Sequence, residues 1–119
     1  MAFKMLSGVH ATGASPSLFL HEKCKDHTVE VDWANGNGTV TAMTVKLQGS
    51  AEGRGTTDSD ANWFDLDTYA LVAADLAAFN AMFHLINKVI QRVRVNITTL
   101  TGAGTTTSIN VRYIPKVEV

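Results

Sequence analysis

Residues 28–33 alternate strictly, with Val29, Val31 and Trp33 on one side and Thr28, Glu30 and Asp32 on the other. Successive side chains of a strand point to opposite faces, so this period predicts a half-buried strand. The same period sets Met43, Val45 and Leu47 against Thr44, Lys46 and Gln48 in 39–49, and Val93, Val95 and Ile97 against Arg92, Arg94 and Asn96 in 91–98. It returns in 107–115, which buries Ile109, Val111 and Tyr113 and is expected to end at Pro115. Val40 and Ala42 fall out of phase with Met43, which predicts a bulge or a strand bending between two sheets. Extended structure is also predicted over 62–71 and 82–86. Residues 72–81 are Ala-rich, with one helical turn expected over 75–79.

The punctuation between these runs is turn chemistry. Asn35-Gly36-Asn37-Gly38 holds two Asn-Gly pairs, which tolerate positive φ and predict a hairpin. The Gly/Thr-rich stretch 101–107 predicts a second hairpin loop. Residues 50–61, with Gly53, Gly55, Thr56, Thr57, Asp58, Ser59 and Asp60, predict an exposed, mobile polar loop. Six or seven strands with turn signals every 8 to 15 residues indicate an all-β fold, an antiparallel β-sandwich or jelly roll with a short helical turn. Residues 1–16 are rich in small side chains and are expected to form an N-terminal arm, with the sandwich domain over 17–119.

Composition narrows the function. The chain has 119 residues, enough for one core, with 45% hydrophobic and 18% charged residues and a formal net charge of −1. No strong positive field is available for phosphates, so no nucleic-acid partner is expected. No apolar run reaches the ~18 residues of a membrane helix and none resembles a secretion signal, so no membrane partner is expected either. The lone Cys24 cannot form an internal disulfide.

Candidate chemistry is sparse. Asp58, Ser59, Asp60 and Asn62 begin like a calcium loop, but Trp63 stands where glycine is needed and Tyr69 where the bidentate acid belongs. His10, His21, His27 and His84 show no metal spacing, although His21 and His27 could approach if their strands paired. Asp65 and Asp67 share one face of a regular strand and could mimic a catalytic pair; the simpler reading makes them that strand's polar side. No nucleophile elbow or phosphate cradle is present. These readings lead to a binding protein rather than an enzyme, with no catalytic residues, metal or cofactor. A chain this short cannot bury every aromatic. Trp33, Trp63, Phe64 and Tyr69, with Arg92 and Arg94, are therefore the candidate interface or ligand contacts.

The stretch Val45-Lys46-Leu47-Gln48-Gly49-Ser50, a Gly-containing loop, and then Asn62-Trp63-Phe64-Asp65-Leu66 resembles the small β-sandwich virion structural proteins of tailed bacteriophages. Gln91-Arg92-Val93-Arg94-Val95-Asn96 and the Gly/Thr-rich loop before the last strand fit the same pattern, so the resemblance covers about 39–113. The 51–61 loop is longer than the short Gly turn of that pattern. The resemblance implies a virion protein made in the host cytoplasm, of the capsid decoration (cement) type. It would be a homotrimer bound to the major capsid protein or other virion proteins. A neck or tail component shares the same sandwich. A carbohydrate-binding module is the alternative class, with Trp63, Phe64 or Tyr69 stacking on sugar rings.

Overall fold

Among the described residues the chain forms eight strands, two of them in the stretch expected as an arm, and the Ala-rich stretch becomes one short helix. The computed structural model describes residues 2–53, 55–86 and 90–117, with side chains at all of these except 21–23, 91 and 117. The elements are β1 (Phe3–Val9), β2 (Gly13–Ala14), β3 (Leu18–Ala34), β4 (Ala42–Ser50), β5 (Phe64–Ala70), α1 (Ala73–Ala78), β6 (Asn80–Leu85), β7 (Ile90–Thr101) and β8 (Ser108–Val117). All pairings are antiparallel along the path β1-β8-β3-β7-β4-β5, with β2 on β7 and β6 on β3. The path folds over at β3, so that two antiparallel sheets pack together as a sandwich.

β3 makes the fold possible. Its start pairs with β7 through Leu18↔Val93 and Phe19↔Arg92, and its register breaks before Cys24. The remainder lies between β8 and β6. One sheet therefore runs β5-β4-β7 and ends on β2 and the start of β3; the other runs β1-β8-β3-β6. Val29, Val31, Val45, Leu47, Val93, Val95, Ile97, Ile109, Val111 and Tyr113 fill the space between them, each at 1% exposure or less. Tyr69 stacks on Phe83 from the opposite sheet at 5.4 Å between ring centroids. Inside the core, His27 Nδ1 lies 2.5 Å from the Tyr113 hydroxyl, and burial raises the Tyr113 pKa.

Several sequence expectations are corrected by the pairing. Neither glycine-rich turn closes a hairpin. Residues 35–41 carry the chain from β3 in one sheet to β4 in the other, and 102–107 carry it from β7 to β8 in the same manner. Turn chemistry sets local dihedrals, but the strand that follows pairs with whichever neighbour buries it best. The two arches bolt together at one end of the sandwich. Thr39 N donates to Gly102 O (2.9 Å), Thr107 Oγ1 to Asn35 O (2.6 Å), and Asn37 exchanges bonds with Thr106. The phase break at Val40 arises because β4 begins only at Ala42, and the bulge residue lies in β7 at Thr98. Pro115 does not end β8, which reaches Val117: β1 no longer flanks β8 there, so the missing N–H removes no ladder bond. Finally, most of the stretch expected as an arm is laid along the sandwich as β1 on β8 and β2 on β7.

Candidate contact surface around Arg92 and Trp63

The outer face of β7 carries Arg92, Arg94 and Asn96, as alternation requires. Arg92 is nevertheless only 2% exposed, because the 51–63 segment folds back over that face. Its Nη1 donates to the Glu52 and Gly53 carbonyls (3.3 and 3.0 Å). Its Nη2 donates to the Thr56 carbonyl (2.9 Å) and to Asp58 Oδ1 (2.8 Å). The guanidinium lies over the rings of Phe19 (4.9 Å) and Trp63 (5.3 Å). A planar fork can hold several acceptors at once and still stack on aromatics, which an ammonium cannot do. Four further bonds close the loop: Trp63 Nε1 donates to Asp58 O (3.0 Å), Asn62 N to the Glu52 carboxylate, and Ser17 N and Oγ to the two Asp58 oxygens. The segment expected to be mobile is thus tied at both ends and in the middle.

A polar ladder continues across the sheet. Arg94 lies over Trp63 at 4.3 Å and donates from Nε to Gln48 Oε1 (2.8 Å). Gln48 Nε2 and Lys46 Nζ donate to the two oxygens of Asp65 (2.8 and 2.7 Å), and the Lys46 bond is the main reason the Asp65 pKa is lowered. Asp58 is lowered further, to about 2, first by the Ser17 hydroxyl and then by Arg92. Its depressed value means that its contribution to loop closure is full above its unfolded value near 3.8 and is lost as the pH falls through about 2. We therefore expect the 51–63 loop to stay closed at neutral pH and to open between pH 4 and 2, read as increased Trp63 fluorescence quenching; opening already at pH 6 would contradict this.

The six sequence-predicted contacts have separate fates. Trp33 is in the core, edge-on to Phe79, and Arg92 is buried under the loop. Trp63 and Arg94 stack on one another at the surface. Tyr69 has one ring face on Phe83 and its hydroxyl on Asp75 Oδ2 (2.7 Å). Phe64 stands 63% exposed at the start of β5. Asp65 and Asp67 do not share a face: a register shift in β5 sets Asp65 opposite Gln48 and Asp67 opposite Leu47. Leu66, at that shift, packs over Gly49, where a Cβ would stand 2.9 Å from Leu66 Cδ1. Asp58, the first residue of the calcium-like stretch, is committed to Arg92 and Ser17. His27 is buried on Tyr113, His84 is exposed and bonded to Thr28 Oγ1 (2.9 Å), and the His21 side chain lies outside the described residues. Among the described residues, no group of three or more His, Cys, Asp or Glu is placed to hold a metal.

No family model matches the chain, and no curated protein matches its sequence. Solved structures give a different result. The chain is similar in fold to the SPBc2 prophage-derived protein YomS. The likeness covers 97% of this chain and 90% of YomS, with a TM-score of 0.56 and 11% sequence identity. The likeness thus runs over nearly the full length of both chains. At that identity the likeness is one of fold, and side-chain roles must be argued from this chain alone.

Proposed function

We propose that this chain is a non-enzymatic phage structural protein that binds the outer capsid surface and stabilises the shell. The observation that carries this reading is the clamped loop. Arg92 is used internally to rigidify 51–63, and what that rigid loop leaves at the surface is Phe64 beside the Trp63–Arg94 stack. A pre-ordered aromatic and arginine surface costs little to immobilise on binding, which suits recognition of another protein. The fold likeness to a prophage-derived protein supports a phage origin. The segment resemblance supports the decoration role over a neck or tail position.

Sugar binding is less well supported, because apart from the exposed Phe64 the groups it needs are occupied. Trp63 lies under two guanidinium groups, Tyr69 stacks on Phe83, and Asp65 is bonded to Lys46 and Gln48. The purified chain should add to capsids assembled without it and raise their resistance to heat. Phe64→Asp should lower capsid occupancy at least tenfold while leaving the fold intact, since a central aromatic anchor is worth about 2 kcal/mol or more. Full binding by that variant, or no binding by the native chain, would remove this reading.

A further inference from the structure

The three long edge strands are protected unequally. A free edge presents unpaired N–H and C=O groups, and proteins blunt it with charges, prolines or bulges. β1 carries Lys4 and two register shifts against β8. β5 carries Asp65, Asp67 and a shift against β4. β6 has the sequence Asn-Ala-Met-Phe-His-Leu, with no acid, lysine, arginine or proline, and pairs with β3 over six positions without a shift. Three of the five large apolar side chains exposed among the described residues are in or next to it: Phe79 (46%), Met82 (53%) and Ile86 (62%).

The backbone shows which groups are free. Trp33 N donates to Phe79 O (3.1 Å), so alternation turns the N–H and C=O of odd residues toward β3 and those of Asn80, Met82 and His84 away from it. A groove of about 420 Å³, lined by Glu30, Asp32, Asp75, Asn80 and Met82 among others, lies over the adjoining face of β3 and β6. Phe79, which leads into this edge, holds φ 61°, a left-handed conformation uncommon for a bulky residue.

We propose that β6 pairs with β6 of a second copy of this chain, antiparallel about a two-fold axis through Met82. In that register Met82 meets its own copy, Asn80 meets His84, and Ala81 meets Phe83. The three residues with outward backbone groups then form the hydrogen-bonded pairs, while a small side chain opposes a large one on the inner face. Phe79 comes opposite Leu85, while the two exposed Met82 side chains meet on the outer face. No like charges pair between the two β6 strands themselves. Glu30 is opposite Met82 in β3, so the two copies of Glu30 would stand three strand spacings apart, about 14 Å. That exceeds the screening length of about 10 Å. A two-fold contact requires such a self-complementary surface.

The test does not depend on capsid binding. Sedimentation of the purified full chain should give the mass of two copies, and Met82→Lys, which puts two ammonium groups on the axis, should convert it to a folded monomer that melts cooperatively, its midpoint lowered only by the lost association. Thr68→Lys on the β5 edge should leave the dimer intact. Backbone amides of Met82 and His84 should exchange slowly in the native protein and at least a hundredfold faster in Met82→Lys. A native monomer, or an oligomer that survives Met82→Lys, would overturn the pairing. A three-copy mass that survives it would remove this contact and leave the capsid reading standing.

Discussion

Replacing Arg92 with alanine should lower the unfolding free energy by about 3 kcal/mol and release the 51–63 loop. The magnitude follows from leaving buried acceptors unpaired, since breaking a buried ion pair by removing one partner costs about 3–5 kcal/mol. The lower end applies because Asp58, the charged partner, is 41% exposed at its side chain and can be rehydrated. The Glu52, Gly53 and Thr56 carbonyls lose their donor together, and Phe19 and Trp63 lose the plane that lies against them. Denaturant midpoints measure the stability, and a low-specificity protease should cut within 51–63 much faster than in the native chain. Arg92→Lys should recover only a small part of the loss, because an ammonium cannot bridge Nη1 and Nη2 acceptors on separate residues. A change below about 1 kcal/mol with an unaltered cleavage pattern would show that the loop holds itself without the clamp.

Gly102→Ala should cost a comparable amount through a different mechanism. Gly102 has φ +89°, and a Cβ there would stand 1.9 Å from the Thr39 carbonyl oxygen, a backbone atom that cannot swing aside. That carbonyl belongs to the opposing arch, and Thr39 N already donates to Gly102 O. Accommodating the methyl group therefore means separating the two arches, with loss of neighbouring bonds such as Thr107 Oγ1 to Asn35 O. We expect a loss of about 3 kcal/mol, combining left-handed strain of about 1–2 kcal/mol with at least one broken buried hydrogen bond. Gly53→Ala is the comparison, since nothing lies within 4 Å of a Cβ there; it should change stability by less than about 0.5 kcal/mol. Equal thermal midpoints for Gly102→Ala and Gly53→Ala would show that the arches are not locked together.

These two sites also show why part of the candidate surface was not legible in the linear chain. Arg92 alternates with Val93 and Val95, and alternation assigns it to the outer face correctly. Periodicity says which face a side chain leaves from, but not what later covers that face. Here the cover is a loop 34–40 residues away along the chain, joined by bonds to main-chain carbonyls that no residue type advertises. The only sequence signal was the aromatic and acidic content of that loop, in Trp63 and Asp58. Asp65 and Asp67 failed for a related reason: a one-residue shift at Leu66 reverses the face of everything beyond it.

The alternation of Val29, Val31, Val45, Leu47, Val93, Val95, Ile97, Ile109, Val111 and Tyr113 determined by itself that this is an all-β protein with those residues inside, because a two-residue period can bury only one face of a strand. The glycines at 36, 38, 102 and 104 likewise marked where the chain turns. Which strands become neighbours was decided only in three dimensions. The same turn residues serve a hairpin or an arch between sheets, and the choice depends on contacts between segments as distant as Thr39 and Gly102, or β3 and β8. Local dihedral preference carries no information about such partners; the shared burial of two facing sheets does.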